Sequence, residues 1–194
     1  MGRLSAKLAS RNENKLRELA GVLEDWQLEL LAAEDYPPED GSTYYENART
    51  KARHGRNVDD STAWILGEDS GIEVDGLGGG PGVHSARLGG DDPVGWLLAE
   101  LGASEDRGAR YVCELVAISP EGDEVRGTGT FEGRIAEEPR GSEGFGYDPV
   151  FIPDGQEQTV AELGNAWKRE HSHRARAARA LSVAVSTASD WSGV

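Results

Sequence analysis

The sequence predicts an α/β fold, and three observations carry that expectation. Apolar runs of strand length alternate with stretches whose apolar residues recur at helical spacing. The first such pair joins residues 4–9 directly to an amphipathic stretch that begins near Asn12. Farther on, two strand-like runs flank Ser119-Pro120-Glu121-Gly122-Asp123, the signature of a β-hairpin. At 194 residues the chain reads as one domain, residues 1–194, large enough for a real core.

Residues 4–9 form the first strand. Asn12 then caps a helix whose Leu16, Leu19, Ala20 and Leu23 make an apolar stripe. The loop Ser10-Arg11-Asn12-Glu13-Asn14-Lys15 therefore presents helix N-terminal amides, a geometry that suits an anion. An ordinary capped helix with a solvated lysine fits it too, and the glycines of a P-loop are absent. A second helix spans 43–55. Thr43 and Glu46 match a capping box, which competes with any other role for Glu46. Its Tyr45, Ala48 and Ala52 face the core and leave Lys51 near one edge.

The apolar segment Trp64-Ile65-Leu66 then ends in Glu68, Asp69 and Ser70, where Gly71 lets the chain turn away. That is how a buried strand delivers carboxylates to the mouth of a cleft; a solvated acidic turn is the plainer reading. The glycine-rich stretch 76–82 leaves room for a ligand to approach backbone. Pro93 opens a helix buried through Trp96, Leu97 and Leu101. The first hairpin strand holds Cys113, read as a buried, inert thiol, and the second runs from Val125 to Ile135. Between 141 and 151, glycines flank Phe145 and Tyr147, so this is either a loop that lays a ring on a flat ligand or a turn with aromatics in the core. A last helix begins near Ser172 and docks through Ala177, Ala180, Leu181, Ala184 and Val185. Lys168, Arg169, His171, His173 and Arg174 gather around its start, against the helix dipole, a mild cost that an anionic ligand would offset.

Composition narrows the function. A formal net charge of -15 repels nucleic acid and anionic membranes, yet leaves room for a polyanionic small molecule held by local cations. The single cysteine excludes an intrachain disulfide and a cysteine zinc site. No apolar run reaches the length of a signal peptide or a membrane span, so a cytoplasmic protein is expected.

Five separated segments, in this order, are similar to the inosine/xanthosine triphosphate pyrophosphatases, over about residues 8–181. They are Ser10, Asn12 and Lys15; Glu46-Asn47-Ala48 with Lys51-Ala52; Glu68-Asp69-Ser70-Gly71-Ile72 with Val74-Asp75, Gly78-Gly79, Pro81-Gly82 and Ser85-Ala86-Arg87; Phe145-Gly146-Tyr147-Asp148-Pro149 with Phe151; and Lys168 with Ser172-His173-Arg174. The family usually has Asp where this chain has Glu68, and glycine followed by Lys or Gln where it has Ala175-Arg176; Arg11 stands where a glycine is common.

The resemblance implies a long mixed β-sheet flanked by helices, two lobes with an active-site cleft between them, and a homodimer. It implies hydrolysis of ITP, dITP or XTP to the monophosphate and pyrophosphate by water attacking the α-phosphorus. Mg2+ is the implied ion, with Glu46 and Asp69 as its ligands and Asp69 also the acceptor of the water's proton. Residues Ser10, Arg11, Asn12, Glu13, Asn14, Lys15 and Lys168 would hold phosphates, helped by Ser70. The segment Phe145, Gly146, Tyr147 and Asp148 would receive the base, and His173 and Arg174 would donate toward its 6-oxo group. Two other readings stay open: a catalytically silent nucleotide- or RNA-binding module, and a pyrophosphatase acting on other modified nucleotides.

Overall fold

In the computed structural model of the chain, residues 3–191 are described. Strand β1 (Leu4–Leu8) leads into α1 (Glu13–Ala20), where Asn12 Oδ1 accepts from the amides of Asn14 and Lys15 as the expected N-cap. Of the expected stripe, Leu19 and Leu23 are buried, Leu16 packs partly and Ala20 is exposed. β2 (Trp26–Leu30) follows, then α2 (Tyr44–Val58), which starts with the full Thr43–Glu46 capping box.

β3 (Trp64–Val74) corrects the reading of the central segment. The strand does not end at the acids; it runs through Glu68, Asp69, Ser70 and Gly71 for 11 residues. The apolar Ile72 and Val74 beyond them are buried, and that burial carries the extended backbone past the glycine. The turn comes after Val74, in a single 3-10 turn, and β4 (Gly80–Pro81) folds back antiparallel onto β3.

α3 (Pro93–Leu101) has proline in its first turn and Asp92 as its cap. The hairpin consists of β5 (Gly108–Ile118) and β6 (Glu124–Ile135), then β7 (Phe151–Pro153) pairs with β6. α4 (Val160–His171) and α5 (His173–Trp191) close the chain, separated at Ser172. The reading above has no helix before Ser172, so α4 changes the electrostatics: Lys168, Arg169 and His171 lie in its last turn. There they face the negative end of a helix, which is favourable rather than costly.

The strands form one seven-stranded mixed sheet in the order β2-β1-β3-β5-β6-β7, with β4 paired to β3. β1 runs parallel to both β2 and β3. Two compact units divide the chain. The first comprises Met1–Asp69, Cys113–Gly129 and His173–Val194, the second Ser70–Val112 and Thr130–Ser172. In the first, Leu8, Leu19, Leu66, Leu115 and Leu181 are fully buried in one cluster, each contributing about 2 kcal/mol of transfer free energy. α5 docks there through Ala177, Ala178, Leu181 and Val185, while Ala180 points out. The second unit centres on Ile72, Val74, Leu97, Phe131 and Phe151, with the Tyr111 and Phe151 rings 4.7 Å apart.

Candidate active site

The pleat of β3 decides where its acids point. Successive side chains alternate faces, so Ile65, Gly67 and Asp69 share one face while Leu66 and Glu68 share the other. At Gly67 any Cβ would collide with the Ala48 carbonyl of α2, so glycine there lets helix and strand meet at backbone distance. That approach brings Asn47 and Lys51 of α2 onto Asp69. Asn47 Nδ2 donates to Asp69 Oδ2 at 2.9 Å, and Lys51 Nζ lies 3.4 Å from Oδ1 while also donating to the Glu68 carbonyl at 3.0 Å. Asn47 Oδ1 accepts from the Gly41 amide at 2.8 Å, which ties the preceding loop to the same point. From that loop Glu39 forms an ion pair with Lys51.

The two acids differ in charge state as well as direction. Burial pushes the Asp69 carboxyl up, against Lys51 and the Asn47 hydrogen bond, and neighbouring Glu68 adds to the rise. Lys51 is buried too, yet Asp69, Glu39 and Glu68 hold its ammonium above the ordinary value. Glu68 is fully enclosed. Burial opposes its charge, but Lys15, Arg174 and Lys51 overcome that and hold it well below the usual carboxylate range. Lys15 Nζ lies 2.5 Å from Glu68 Oε2, and Oε1 accepts from Arg174 Nε at 3.1 Å and Nη2 at 3.0 Å. Arg174 also pairs with Glu18 on α1. Cys113 is buried as expected; its thiol, pushed well up by burial and by Glu68, donates to Glu68 Oε1 at 3.6 Å.

In the loop before α1, Ser10 Oγ accepts from the Asn12 amide, and with Asn12 Oδ1 it occupies three of the amides expected to face an anion. Arg11 donates to the Glu34 carbonyl and lies over the Tyr36 ring. Asn14 accepts from Arg17, and Glu13 occupies the first turn of α1. His173, buried, begins α5 beside Arg174. Glu46 is exposed, and its Oε2 accepts from the amides of Ser42 and Thr43 in the capping box.

In the second unit, Ser70 is half-buried on β3. Phe145 sits on a loop bent by Gly144 (φ 80°) and Gly146 (φ 63°), where a side chain at Gly144 would strike the Asp148 carboxylate. Asp148 is buried; its Oδ2 accepts from the Phe145 amide at 2.8 Å and from Lys168 Nζ at 2.6 Å. Lys168 Nζ also stands 4.2 Å from the Phe145 ring centroid, a cation–π contact. Tyr147 donates to the Ser85 carbonyl at 3.0 Å, and burial pushes its hydroxyl up to about 12.

The first unit thus joins Lys15, Asp69 and Arg174 through Glu68, Asn47 and Lys51, and the second joins Phe145, Asp148 and Lys168. Glu39 and Asn47 had no assigned part in the sequence reading. Asn47 has a signal: one turn before Lys51, it shares that lysine's helix face. Glu39 has none, because only the fold returns its loop to Lys51.

Comparison with known proteins fits this geometry. The sequence model of the Ham1 family matches residues 6–184. A dITP/XTP pyrophosphatase of Bdellovibrio bacteriovorus is 42% identical over 187 residues, covering 90% of this chain and 94% of the relative. One from Symbiobacterium thermophilum is 46% identical over 179 residues, covering 88% and 89%. Among solved structures, the Ham1 protein of Staphylococcus aureus superposes with a TM-score of 0.82 at 30% identity, covering 95% of this chain and 99% of that one.

Proposed function

The chain belongs to the Ham1 family, and from that premise we propose that it hydrolyses deaminated purine nucleoside triphosphates, ITP, dITP and XTP, to the monophosphate and pyrophosphate. The observation that carries the reading is Asp69. It is a nearly buried carboxylate, raised toward the range where a base works, with Asn47 fixing one oxygen and a charged Lys51 beside the other.

In this reading Asp69 takes the proton of the attacking water. Lys51 compensates the negative charge that collects there, and Lys15 meets the triphosphate from the start of α1, with Ser10 and Ser70 as hydroxyl donors. The residues fit a divalent ion, which we take to be Mg2+. Asp69 and Glu39 both reach Lys51, so two carboxylates already converge on one cation. Two carboxylates completed by water and phosphate oxygens are what Mg2+ uses. Among the described residues no group of three acid, histidine or cysteine side chains forms a cage of its own. We therefore assign the ion to Asp69 and Glu39 and leave Glu46 to its capping box. Bound there, the ion would neutralise phosphate charge and polarise the water.

For the base, Phe145 supplies a stacking ring whose tilt is set by Asp148 and Lys168. His173 and Arg174 donate toward a 6-oxo group. An adenine would present its amino donor there, at about 1–3 kcal/mol for each donor left unmatched. The whole chain acts as one catalytic domain in this reading, and the family resemblance supports a cytoplasmic homodimer, which light scattering at micromolar concentration tests.

The deciding experiment is pyrophosphate release across ITP, XTP, GTP, ATP and modified pyrimidine triphosphates. Hydrolysis of ITP and XTP at least tenfold faster than of ATP is expected. Binding without release would show a silent module, and preference for a pyrimidine would show another substrate class.

A further inference from the structure

We propose that Glu68 is a positioning residue: its buried carboxylate fixes the ammonium of Lys15 in the orientation that receives the triphosphate, and through Arg174 ties the start of α5 to the same point. The inference rests on the reading of Lys15 as a phosphate ligand. Three observations carry it. Glu68 is enclosed on the face of β3 opposite Asp69, so it acts through its neighbours and not on the water. Its two oxygens are divided between two cations from different helices, Oε2 to Lys15 of α1 at 2.5 Å and Oε1 to the Arg174 fork of α5. Arg174 in turn pairs with Glu18, one turn beyond Lys15, so α1 and α5 are joined twice around the same carboxylate.

A lysine on the first turn of an exposed helix ordinarily samples many rotamers, and ordering it on binding weakens its grip. Here the 2.5 Å ion pair with Glu68 holds the ammonium in place before any phosphate arrives. A buried carboxylate is tolerable only with such partners, and it in turn holds both of them at one point.

The test is a double-mutant cycle. Glu68→Gln and Lys15→Met should each lower kcat/KM for ITP by roughly tenfold to a hundredfold, the scale of a lost charge-assisted hydrogen bond. In the Lys15→Met background, Glu68→Gln should add less than about threefold, because the side chain it positions is gone. Glu68→Asp keeps the charge but retracts it by one methylene, and should fall between wild type and Glu68→Gln. Should Glu68→Gln not fold, the cycle is read with Glu68→Asp. Losses that multiply, or a Glu68→Gln enzyme within about twofold of wild type, overturn the inference. A merely structural Glu68 would lower melting temperature and active fraction whether or not Lys15 is present. If the wild-type protein releases pyrophosphate from no nucleotide, the proposed function fails; the same cycle read on calorimetric binding of inorganic pyrophosphate then decides, with additive losses overturning the role of Glu68 and non-additive ones supporting it.

Discussion

Replacing Asp69 with Asn separates chemistry from structure at the point where both converge. The amide keeps the shape of the carboxylate, so its oxygen can still accept from Asn47 Nδ2, which now sits 2.9 Å from Asp69 Oδ2. Its nitrogen is then left facing Lys51, 3.4 Å from the other oxygen, where donor meets donor. Against that small cost stands the removal of a buried negative charge next to Glu68. Because burial raises the folded-state carboxyl above its ordinary value, folding works against its charge, and removing that charge relieves the fold. The two effects oppose each other, and we expect a net change under about 1 kcal/mol, or about 2–4 °C in melting temperature. Turnover behaves otherwise. An amide cannot take a proton from water, and general-base catalysis contributes about 10²–10⁴-fold, or about 3–5 kcal/mol of barrier. Pyrophosphate release from ITP should therefore fall at least a hundredfold while thermal melting and circular dichroism stay near wild type. A variant that retains a tenth of the activity, or loses it only in proportion to lost folded protein, refutes Asp69 as the base.

Three further outcomes follow from the same structure. Glu39→Gln should raise the Mg2+ concentration for half-maximal activity about tenfold or more, as expected when one of two carboxylates is lost, whereas Glu46→Gln should leave it near wild type and preserve the capping box; the reverse order would return the ion to Glu46. Gly67→Ala should destabilise by at least about 1–3 kcal/mol, since a Cβ there runs into the Ala48 carbonyl, and a melting temperature equal to wild type would contradict the close approach of α2 to β3. Asp59, paired with Lys7 at 2.5 Å, has its carboxyl lowered to about 2 from 3.8: burial works against the charge, but hydrogen bonds from Lys7 and Ser61 prevail. A lowered carboxyl stabilises the fold above the ordinary value and loses that contribution as pH falls through about 2. Asp59→Asn should thus cost about 1 kcal/mol at pH 7, with solvent screening allowed for, flatten the acid limb between pH 4 and 2, and leave turnover unchanged.

Local signals made most of the fold legible. The caps at Asn12 and Thr43, the proline at the start of α3 and the turn at 119–123 each specify their element through short-range chemistry. The misses are of a different kind. β2 alternates at Trp26, Leu28 and Leu30, but five residues are too few for periodicity to name a strand. α4 carries the same Thr–Glu box as α2, at Thr159 and Glu162, yet Gly164 at φ 86° breaks its helical pattern one turn in. Gly71 looked like a turn because glycine permits one; only the burial of Ile72 and Val74 beyond it keeps the strand extended. At the site, residues on one element were readable and pairings between elements were not. Nothing near Glu39 in the sequence points to Lys51, and nothing near Lys15 points to Glu68.

The alternation of β3 also explains how two adjacent acids of like charge can serve different purposes. Had Glu68 and Asp69 faced one side, they would titrate as one coupled pair and could not be held in two separate charge roles. The pleat sends them apart. Glu68 enters a pocket where Lys15 and Arg174 lie within 3.1 Å of its oxygens, and its charge is pinned. A carboxylate held that firmly is a poor base, because it has no tendency to take a proton, but it is a permanent anchor for cations. Asp69 lies against Lys51 and a neutral amide, and burial moves it the other way, toward proton acceptance. Environments that push two neighbouring groups apart in this way are what assign acid–base roles in an active site. The longer arm of Glu68 fits the same division: a side chain that anchors two helices needs reach, while one that takes a proton from a positioned water needs a short, fixed arm.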